Sequence, residues 1–389
     1  MALSCIMDVD DKGNVVNHTI AETVIHVNER MTYTSVKKIL EDHDEAEREK
    51  YKELVPMFEM MAHVAGILRE KRSRRGSIDF DFPETKVKLN ALGQAVDILP
   101  YDRNTATKLI EDFMLLANET VAEHFFWQEL PFVYRTHEKP DPEKMTKLGI
   151  FIRNFGYYFK AGNGEVHPKE LQKLLEKISG TKEEALLSRL TLRSMQRAAY
   201  TTECSGHFGL AAKYYCHFTS PIRRYPDLQI HRIIKDSLRG RLNERKLAHY
   251  TKILPEVALQ SSKMERRADE AERETVKLKK AEYMKEHLGE IYEGVISGVT
   301  NYGIYVELDN TVEGMVHVNS MRNDYYYFDE LHYELVGQDS GVKYKLGERV
   351  LVQVKRVDMV SKTIDFRLVD REDIDDGKGS EGECEVNCQ

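Results

Sequence analysis

The chain has 389 residues, enough for two or three domains. Its composition, 41% hydrophobic and 31% charged with 10 prolines and 23 glycines, excludes a disordered or collagen-like chain. No apolar run approaches the roughly 18 residues of a membrane span, and the N-terminus lacks the basic region of a secretory signal. The five cysteines are scattered, which fits a reducing compartment, so we expect a cytoplasmic protein that makes no membrane contact.

The net charge of −8 is unevenly distributed. Residues 370–389 hold eight acids against Arg371 and Lys378, which gives −6 and leaves −2 for the other 369 residues. A nearly neutral body can carry local basic patches, so a nucleic-acid partner is not excluded. The acidic segment 371–389 is predicted to be a disordered tail.

In the first half of the chain, strand and helix patterns are mixed. Residues 3–27 predict two strands around the turn DDKGN, and RSRRGSIDFDFPE predicts a basic loop leading into a strand. KVKLNALGQAVDIL predicts a hairpin. Apolar residues at helical spacing predict helices at 31–72 and 105–127, near 142–155, 168–178 and 184–199, from Pro226, and at 256–286.

After Leu288 the apolar pattern changes from helical to alternating. Five short strands within about 80 residues predict a small closed barrel. An aromatic run, Tyr325 to Phe328, is either a platform for a nucleic acid or a segment packed against the barrel, and we favour packing.

The stretch HFTSPIRRYPDLQIHR, residues 217–232, carries the most specific chemistry. Two prolines five positions apart constrain a loop that presents Arg223 and Arg224 just before a helix. A guanidinium fork suits a pair of phosphate oxygens, and the free amides of a helix start add partial positive charge. The pattern therefore indicates phosphate binding, with a structural arginine pair on a surface loop as the alternative.

This stretch closely resembles the signature of the ribonuclease II and ribonuclease R family, the processive 3′-to-5′ exoribonucleases. RRGSIDFDFPE, KLIEDFMLLAN, LRSMQRAAY, GHFGLA and SSKMERRADEAERE resemble further motifs of that family, in its order, and the ribonuclease R type is the nearer one. The resemblance spans about residues 3–370. It implies an α+β chain with four parts: an RNB catalytic domain at 1–255 that lacks its N-terminal part, a connecting helix at 256–287, an S1 RNA-binding barrel of the OB type at 288–370, and the tail.

Within the RNB part, we expect a mixed sheet with many helices. The resemblance implies magnesium-assisted hydrolysis of single-stranded or structured RNA to nucleoside 5′-monophosphates by a monomer. Arg223 matches the arginine at the scissile phosphate and is expected to be catalytic, with Arg224 beside it on the substrate. Phe80 matches a phenylalanine that stacks on terminal bases, although a core aromatic is the alternative.

Four further residues are expected to contact RNA on the same resemblance. Glu111 matches an acid near the 3′-terminal nucleotide, and Asn118 lies two helical turns further along the same face. His207 lies between glycines, where the loop either contacts the RNA backbone or simply turns tightly. Glu272 lies on the long helix near the RNA channel that the family implies, with an ion pair to Arg266 or Arg267 as the alternative.

In the barrel, the S1 pattern implies a binding face made of Tyr302, Tyr305, His317, Asp358 and Lys362. Tyrosine and lysine stand here where phenylalanine and arginine are more usual, which keeps stacking and charge but loses a guanidinium fork. The alternative for the tyrosines is β propensity alone.

The metal site of the family is four aspartates spaced D-x5-D-x-D-D, and we expect no metal ligands in this chain. Asp8, Asp10 and Asp11 lack the first aspartate, and DDKGN predicts a hairpin turn instead. We therefore expect the catalytic loop to lie upstream of this start. One alternative function is a non-catalytic RNA-binding fragment or adaptor. A translation-associated S1 protein is a weaker alternative, because such a protein does not need the RNB motifs.

Overall fold

The computed structural model describes residues 1–80, 84–101, 103–162, 165–321, 324–329 and 332–369. In these ranges the helices are α1 (Tyr33–Leu40), α2 (Glu45–Lys50), α3 (Val55–Arg75), α4 (Thr105–Trp127), α5 (Pro142–Arg153), α6 (Pro168–Ile178), α7 (Glu184–Ser194), α8 (Tyr225–Leu238) and α9 (Glu244–Lys285), with a 3₁₀ helix at Val318–Ser320. No helix among these residues is long and apolar enough to cross a membrane.

The strands of the first 240 residues form antiparallel pairs in the described ranges rather than one mixed sheet. Most of these strands are short, and helices separate the pairs. The pairs are β1 (Ala2–Val9) with β2 (Val15–Thr23), β3 (Thr85–Leu89) with β4 (Ala95–Pro100), β5 (Tyr134–Thr136) with β8 (Ala199–Thr201), and β6 (Ala161–Gly162) with β7 (Glu165–Val166).

Polar side chains and one glycine set several helix boundaries. Asn104 caps α4 by accepting from the Thr107 amide, so this helix has the predicted bounds. The helix predicted over 31–72 is instead three helices, since Asp44 caps a separate α2. The predicted basic loop is also wrong in its first part. The arginines of RSRR form the last turn of α3, which ends at Gly76 with φ 100°.

Three apolar cores support the RNB part in the described residues, and the smallest joins α1, α3 and the start of α4. The larger core joins β2, α4, α8 and the first half of α9, with Phe125, Ile230 and Leu254 almost fully buried. The second core joins α5, α6 and α7 around Ile152 and Leu171. Helix α4 therefore has one side on the larger core, while other residues of it contact α1 and α3.

Helix α9 begins at Glu244, twelve residues before the predicted start at residue 256. Pro255 lies inside this helix, although proline lacks the amide that an interior residue donates. Packing offsets that loss, because Leu254 and Ala258 on either side are buried in the larger core. At the other end Ala281 and Met284 are buried, with Met284 in the barrel core, so α9 joins the two domains.

The strands of the second domain are β9 (Ile291–Thr300), β10 (Gly303–Leu308), β11 (Glu313–His317), β12 (Tyr326–Asp329), β13 (Glu334–Gly337), β14 (Lys343–Lys345), β15 (Arg349–Asp358) and β16 (Thr363–Leu368). Five of them confirm the predicted closed barrel, in the order β10-β11-β16-β15-β9. A separate three-stranded sheet, β12-β13-β14, lies between β11 and β15 in sequence.

The aromatic run lies on β12 and just before it. Tyr326 and Phe328 pack on the barrel core, whereas Tyr325 and Tyr327 are 79% and 56% exposed. Successive side chains of a strand point to opposite faces, so the predicted packing holds for every second residue.

The barrel is docked on the RNB part through polar contacts. Arg189 of α7 forms an ion pair with Glu307 of β10 at 2.5 Å. Thr311 accepts a 2.5 Å hydrogen bond at its carbonyl from Lys280 of α9, and its hydroxyl lies 2.8 Å from that of Thr85. These contacts fix the barrel against α7, α9 and the β3–β4 hairpin.

Candidate nucleic-acid interface

Residues 217–224, here called the arginine loop, are held at both ends by buried polar side chains. Asn118 of α4 accepts the Phe218 amide at 3.0 Å and donates to the Tyr215 hydroxyl at 3.2 Å. Asp227 of α8 accepts the Ser220 amide at 2.8 Å and is 0% exposed. Asn118 thus lies in the interior as a support of this loop, two turns along α4 from the exposed Glu111.

The two arginines of this loop have different surroundings. Arg224 donates from Nε and Nη2 to the two carboxylate oxygens of Asp227, at 3.0 and 2.8 Å. Arg223 is exposed, and among the described residues its guanidinium has no hydrogen-bond or ion-pair partner. The alternative of a structural arginine therefore fits Arg224, while Arg223 has its fork of donors available for an anion.

Aromatic and imidazole rings pack edge to face behind the arginine loop. His207 lies 5.1 Å from His137 and 5.3 Å from Tyr215, and Tyr215 lies 5.6 Å from His217. The backbones of His207 and Ala212 form two hydrogen bonds with each other, of 2.8 and 3.1 Å. These bonds close a tight turn, which was the alternative interpretation of this loop. Burial, with the charges of neighbouring groups, lowers the pKa of His207 to about 3, so this ring is neutral at neutral pH.

A second group of side chains supports the arginine loop, and the sequence analysis did not identify it. Arg135 of β5 donates to Glu265 of α9 at 2.6 Å, and its guanidinium lies 4.7 Å over the Tyr200 ring. The Tyr200 amide donates to the Ser262 hydroxyl at 2.8 Å. Tyr200 and Glu265 lie within the motifs LRSMQRAAY and SSKMERRADEAERE, so membership of those motifs was the available signal.

A cavity of about 670 Å³ lies between the RNB part and the barrel, and Phe80 and Glu111 both line it. Glu111 is held by Arg103 at 3.0 Å, and the same guanidinium reaches Asp79 at 3.2 Å. Val295 of the barrel closes part of the wall. The structure thus brings two predicted substrate residues together, while Arg223 is not among the lining residues.

The arginines in the last two turns of α3, of which Arg69 and Arg72 line this cavity, are paired with α4. Arg69 and Arg72 both form ion pairs with Asp112, whose side chain is 2% exposed, and the Arg69 contact is 2.6 Å. Arg75 binds Glu119 with two hydrogen bonds of 2.8 and 2.7 Å. The basic segment around residue 72 therefore joins two helices.

On the barrel, Tyr302 is 63% exposed and His317 is exposed across from Gly303. Gly303 has φ 147°, and a Cβ there would lie 2.1 Å from the Val316 carbonyl oxygen, so this turn requires glycine. The Tyr305 ring covers Gly298, where an added Cβ would lie 3.2 Å from a ring carbon. Tyr302 and His317 thus flank one turn, while Tyr305 is half-buried beside it.

The other two predicted barrel residues make contacts within the protein. Asp358 accepts the Val360 and Ser361 amides at 2.9 and 3.1 Å and so shapes the β15–β16 turn. Lys362 forms a 2.6 Å ion pair with Glu274 of α9. Glu272 is exposed on the same helix, and the alternative ion pair with Arg266 or Arg267 is not formed in the described residues.

The aspartates nearest to the family's metal pattern are used in a turn, as predicted. Asp10 accepts the amides of Lys12 and Asn14 at 3.0 and 2.6 Å, and the Asn14 side chain at 2.9 Å. Asp8 accepts from the Asn17 side chain at 3.1 Å. Because these oxygens serve the hairpin, the group does not fit magnesium. The acids of the tail lie outside the described residues.

One three-residue group in the described part of the chain has the donor set of a metal site. Ligand atoms of Asp329, His332 and Glu334 lie within 4.8 Å of one another. Glu334 is buried, however, and forms ion pairs with Lys343 and Lys345. These two ammonium groups neutralise the carboxylate that would have to bind a cation.

The RNB domain model matches residues 1–240, and the S1 RNA binding domain model matches residues 285–368. The chain therefore belongs to the RNB family, and the predicted α+β fold class and S1 barrel are confirmed.

The chain is similar to Ribonuclease R 1 of Lactococcus lactis, with 42% identity over 369 residues. That alignment covers 95% of this chain and 45% of the relative. Ribonuclease R of Thermotoga maritima is 42% identical over 378 residues, covering 96% and 52%. The chain thus spans about half the length of the curated relatives it matches.

The fold is also found in solved structures. Mycoplasma genitalium RNase R in complex with ribose methylated single-stranded RNA matches with TM-score 0.83 and 23% identity, over 94% of this chain and 57% of that one. Yeast Ssd1, described as a pseudonuclease, matches with TM-score 0.62 and 20% identity, over 84% and 40%. The same architecture therefore occurs in a protein named as a nuclease and in a protein described as a pseudonuclease.

Proposed function

We propose that this chain binds single-stranded RNA as part of a 3′-to-5′ exoribonuclease that releases nucleoside 5′-monophosphates processively. The observation that carries the proposal is the exposed Arg223 on a loop fixed by the buried Asn118 and Asp227. A rigid loop that presents an unpaired guanidinium loses little conformational freedom when it binds a phosphate. The names of the relatives and the RNA in the structural match support the same assignment.

Two other surfaces are proposed to act with Arg223. Phe80 would stack on a base in the cavity, and Glu111 would accept from ribose hydroxyls there, since both line it. Tyr302 and His317 on the barrel would hold RNA further along the strand. Stacking needs only a ring face, so this arrangement accepts any base, as a degradative enzyme requires.

Cleavage is proposed to require aspartates that these 389 residues do not supply. The D-x5-D-x-D-D pattern does not occur in the sequence, and Asp8 and Asp10 serve the hairpin. Magnesium would supply charge neutralisation at the phosphate in the whole enzyme, but the acids present here do not fit it. We therefore propose that this chain alone binds RNA without cutting it, which is also the behaviour of the adaptor alternative.

Fluorescence anisotropy with 5′-labelled oligo(U) and oligo(A), over a series of KCl concentrations, tests RNA binding. We expect both RNAs to bind, with affinity falling steeply as salt increases. Arg223→Ala should weaken binding and lower the salt slope by about 0.7, the value for one phosphate contact on a single strand. Arg74→Ala is the matched control, because it removes the same charge from an exposed ion pair with Glu70. No binding, or equal effects of the two substitutions, would contradict the proposal.

A further inference from the structure

His217, the first residue of the arginine loop, has its two ring nitrogens in different surroundings. Nδ1 lies 2.8 Å from the Tyr200 hydroxyl. An imidazole nitrogen accepts hydrogen bonds far better than a phenol oxygen, so the Tyr200 hydroxyl donates to Nδ1. Because a neutral imidazole carries one proton, this contact places the proton on Nε2. Among the described residues, no side chain or backbone group pairs with Nε2.

Three arginines lie near this ring. Burial is the main cause that lowers the pKa of His217 to about 2, and the nearby cations Arg224, Arg135 and Arg223 lower it further. The ring is therefore neutral at any physiological pH and cannot act as a general acid or base there. Glu265 and Asp227 neutralise Arg135 and Arg224. The charge left beside the ring is that of Arg223.

Tyrosine rings fix the orientation of the imidazole. The His217 ring lies 5.5 Å from the Tyr200 ring and 5.6 Å from the Tyr215 ring, nearly perpendicular to each. Asn118 holds the Tyr215 hydroxyl, and Ser262 holds the Tyr200 amide. The donor on Nε2 is thus preorganised on the loop that presents Arg223.

We propose that the Nε2–H of His217 donates a hydrogen bond to a phosphate oxygen of the RNA chain held by Arg223, which makes His217 a second phosphate-binding residue of the arginine loop. This inference rests on the proposed function, because it needs RNA on that loop. A phosphate held by Arg223 gains from a donor that adds no further positive charge, since the ring stays neutral and no new repulsion between cations arises.

Two variants of equal side-chain length separate the donor from packing. His217→Gln keeps an N–H donor about as far from the backbone as Nε2, and His217→Met has the same length without a donor. We expect the Met variant to bind oligo(U) about tenfold more weakly than the Gln variant, the range for a hydrogen bond to a charged group. Both variants should keep the salt slope of the wild-type chain, because a neutral donor releases no counterion.

Equal affinities of the Gln and Met variants would overturn the inference, as would a salt slope lowered as in Arg223→Ala. If the wild-type chain failed to bind RNA, the proposed function would fall as well, so the two failures are distinguishable. Imidazole ¹⁵N NMR of the wild-type chain gives a second test that needs no substitution. We expect Nε2 to carry the proton and its resonance to shift when oligo(U) is added. A proton on Nδ1, or an unchanged Nε2 resonance at saturating RNA, would contradict the inference.

Discussion

Arg224 and Asp227 form a bidentate ion pair at the start of α8. The Nε and Nη2 of Arg224 donate to the two carboxylate oxygens of Asp227 at 3.0 and 2.8 Å. Asp227 is completely buried, and the Arg224 side chain is 16% exposed. The pair fixes the C-terminal end of the arginine loop and leaves the neighbouring Arg223 in solvent. A structural arginine and a binding arginine thus stand next to each other in the sequence.

Asp227→Ala should therefore destabilise the protein strongly. The substitution leaves a partly buried guanidinium and the Ser220 amide without their acceptor. We expect the free energy of unfolding to fall by about 3–5 kcal/mol, measured by urea denaturation. Glu70→Ala, which breaks the exposed pair with Arg74, is the control and should cost less than about 1 kcal/mol. A loss for Asp227→Ala as small as that of the control would refute a supporting role.

Arg223→Lys should keep the positive charge but lose the planar guanidinium and its paired N–H donors. A lysine ammonium is a point charge and cannot bind two phosphate oxygens in one plane. We expect weaker RNA binding with a salt slope like that of the wild-type chain, and in a whole enzyme a larger loss of turnover than of binding. Wild-type affinity for the Lys variant would show that charge alone suffices at this position.

Tyr302→Ala should weaken binding to oligo(U) and oligo(A) by similar factors. A stacking ring contributes about 1–3 kcal/mol per base and has little sequence preference. Tyr325→Ala is the matched control. Tyr325 is also exposed, but it lies just before β12, the first strand of the separate three-stranded sheet. A loss restricted to one base, or an equal loss for Tyr325→Ala, would contradict stacking by Tyr302.

The Arg189–Glu307 ion pair should contribute to docking of the barrel. The two side chains are 38% and 25% exposed, so we expect a modest coupling of about 0.5–1 kcal/mol. A double-mutant cycle with Arg189→Glu and Glu307→Arg, read by thermal unfolding, measures it. The double variant should recover part of the stability that each single variant loses. Strictly additive losses would show that the pair does not couple the domains.

Stability should fall as the pH drops below about 6.5, the pKa of histidine in an unfolded chain. Burial lowers the pKa of His207 to about 3 and of His217 to about 2, so the unfolded chain binds protons that the native chain does not. Each ring should therefore cost about 2 kcal/mol by pH 5. Urea unfolding at a series of pH values checks the slope, and His217→Gln should make it shallower. Constant stability between about pH 7 and pH 5 would contradict neutral native rings.

Local features of the fold were predictable from the sequence, and features that depend on tertiary packing were not. The bounds of α4 follow from its apolar spacing and the cap at Asn104. The early start of α9 was missed because Pro255 suggests a boundary, while the burial that tolerates it comes from other helices.

In the candidate site, too, local contacts were predictable from the sequence and contacts between distant residues were not. The spacing of Arg224 and Asp227 at i and i+3 could have indicated an ion pair, since such residues face each other on a helix start. The cavity with Phe80 and Glu111 could not be predicted, because α3, α4, α6, α7 and the barrel all line it. Lys362 was expected to face RNA, and its partner Glu274 lies 88 residues away in sequence. Distant partners of this kind leave no local pattern.

Incubation of the purified chain with 5′-labelled single-stranded RNA and magnesium tests the central claim most directly. We predict that the RNA is bound, as a gel shift, and that its 3′ end stays intact with and without chelator. Progressive shortening from the 3′ end that a chelator abolishes would contradict the account, because it would require metal ligands that we do not assign. Asp8, Asp10 and Asp11 would then be the first residues to substitute.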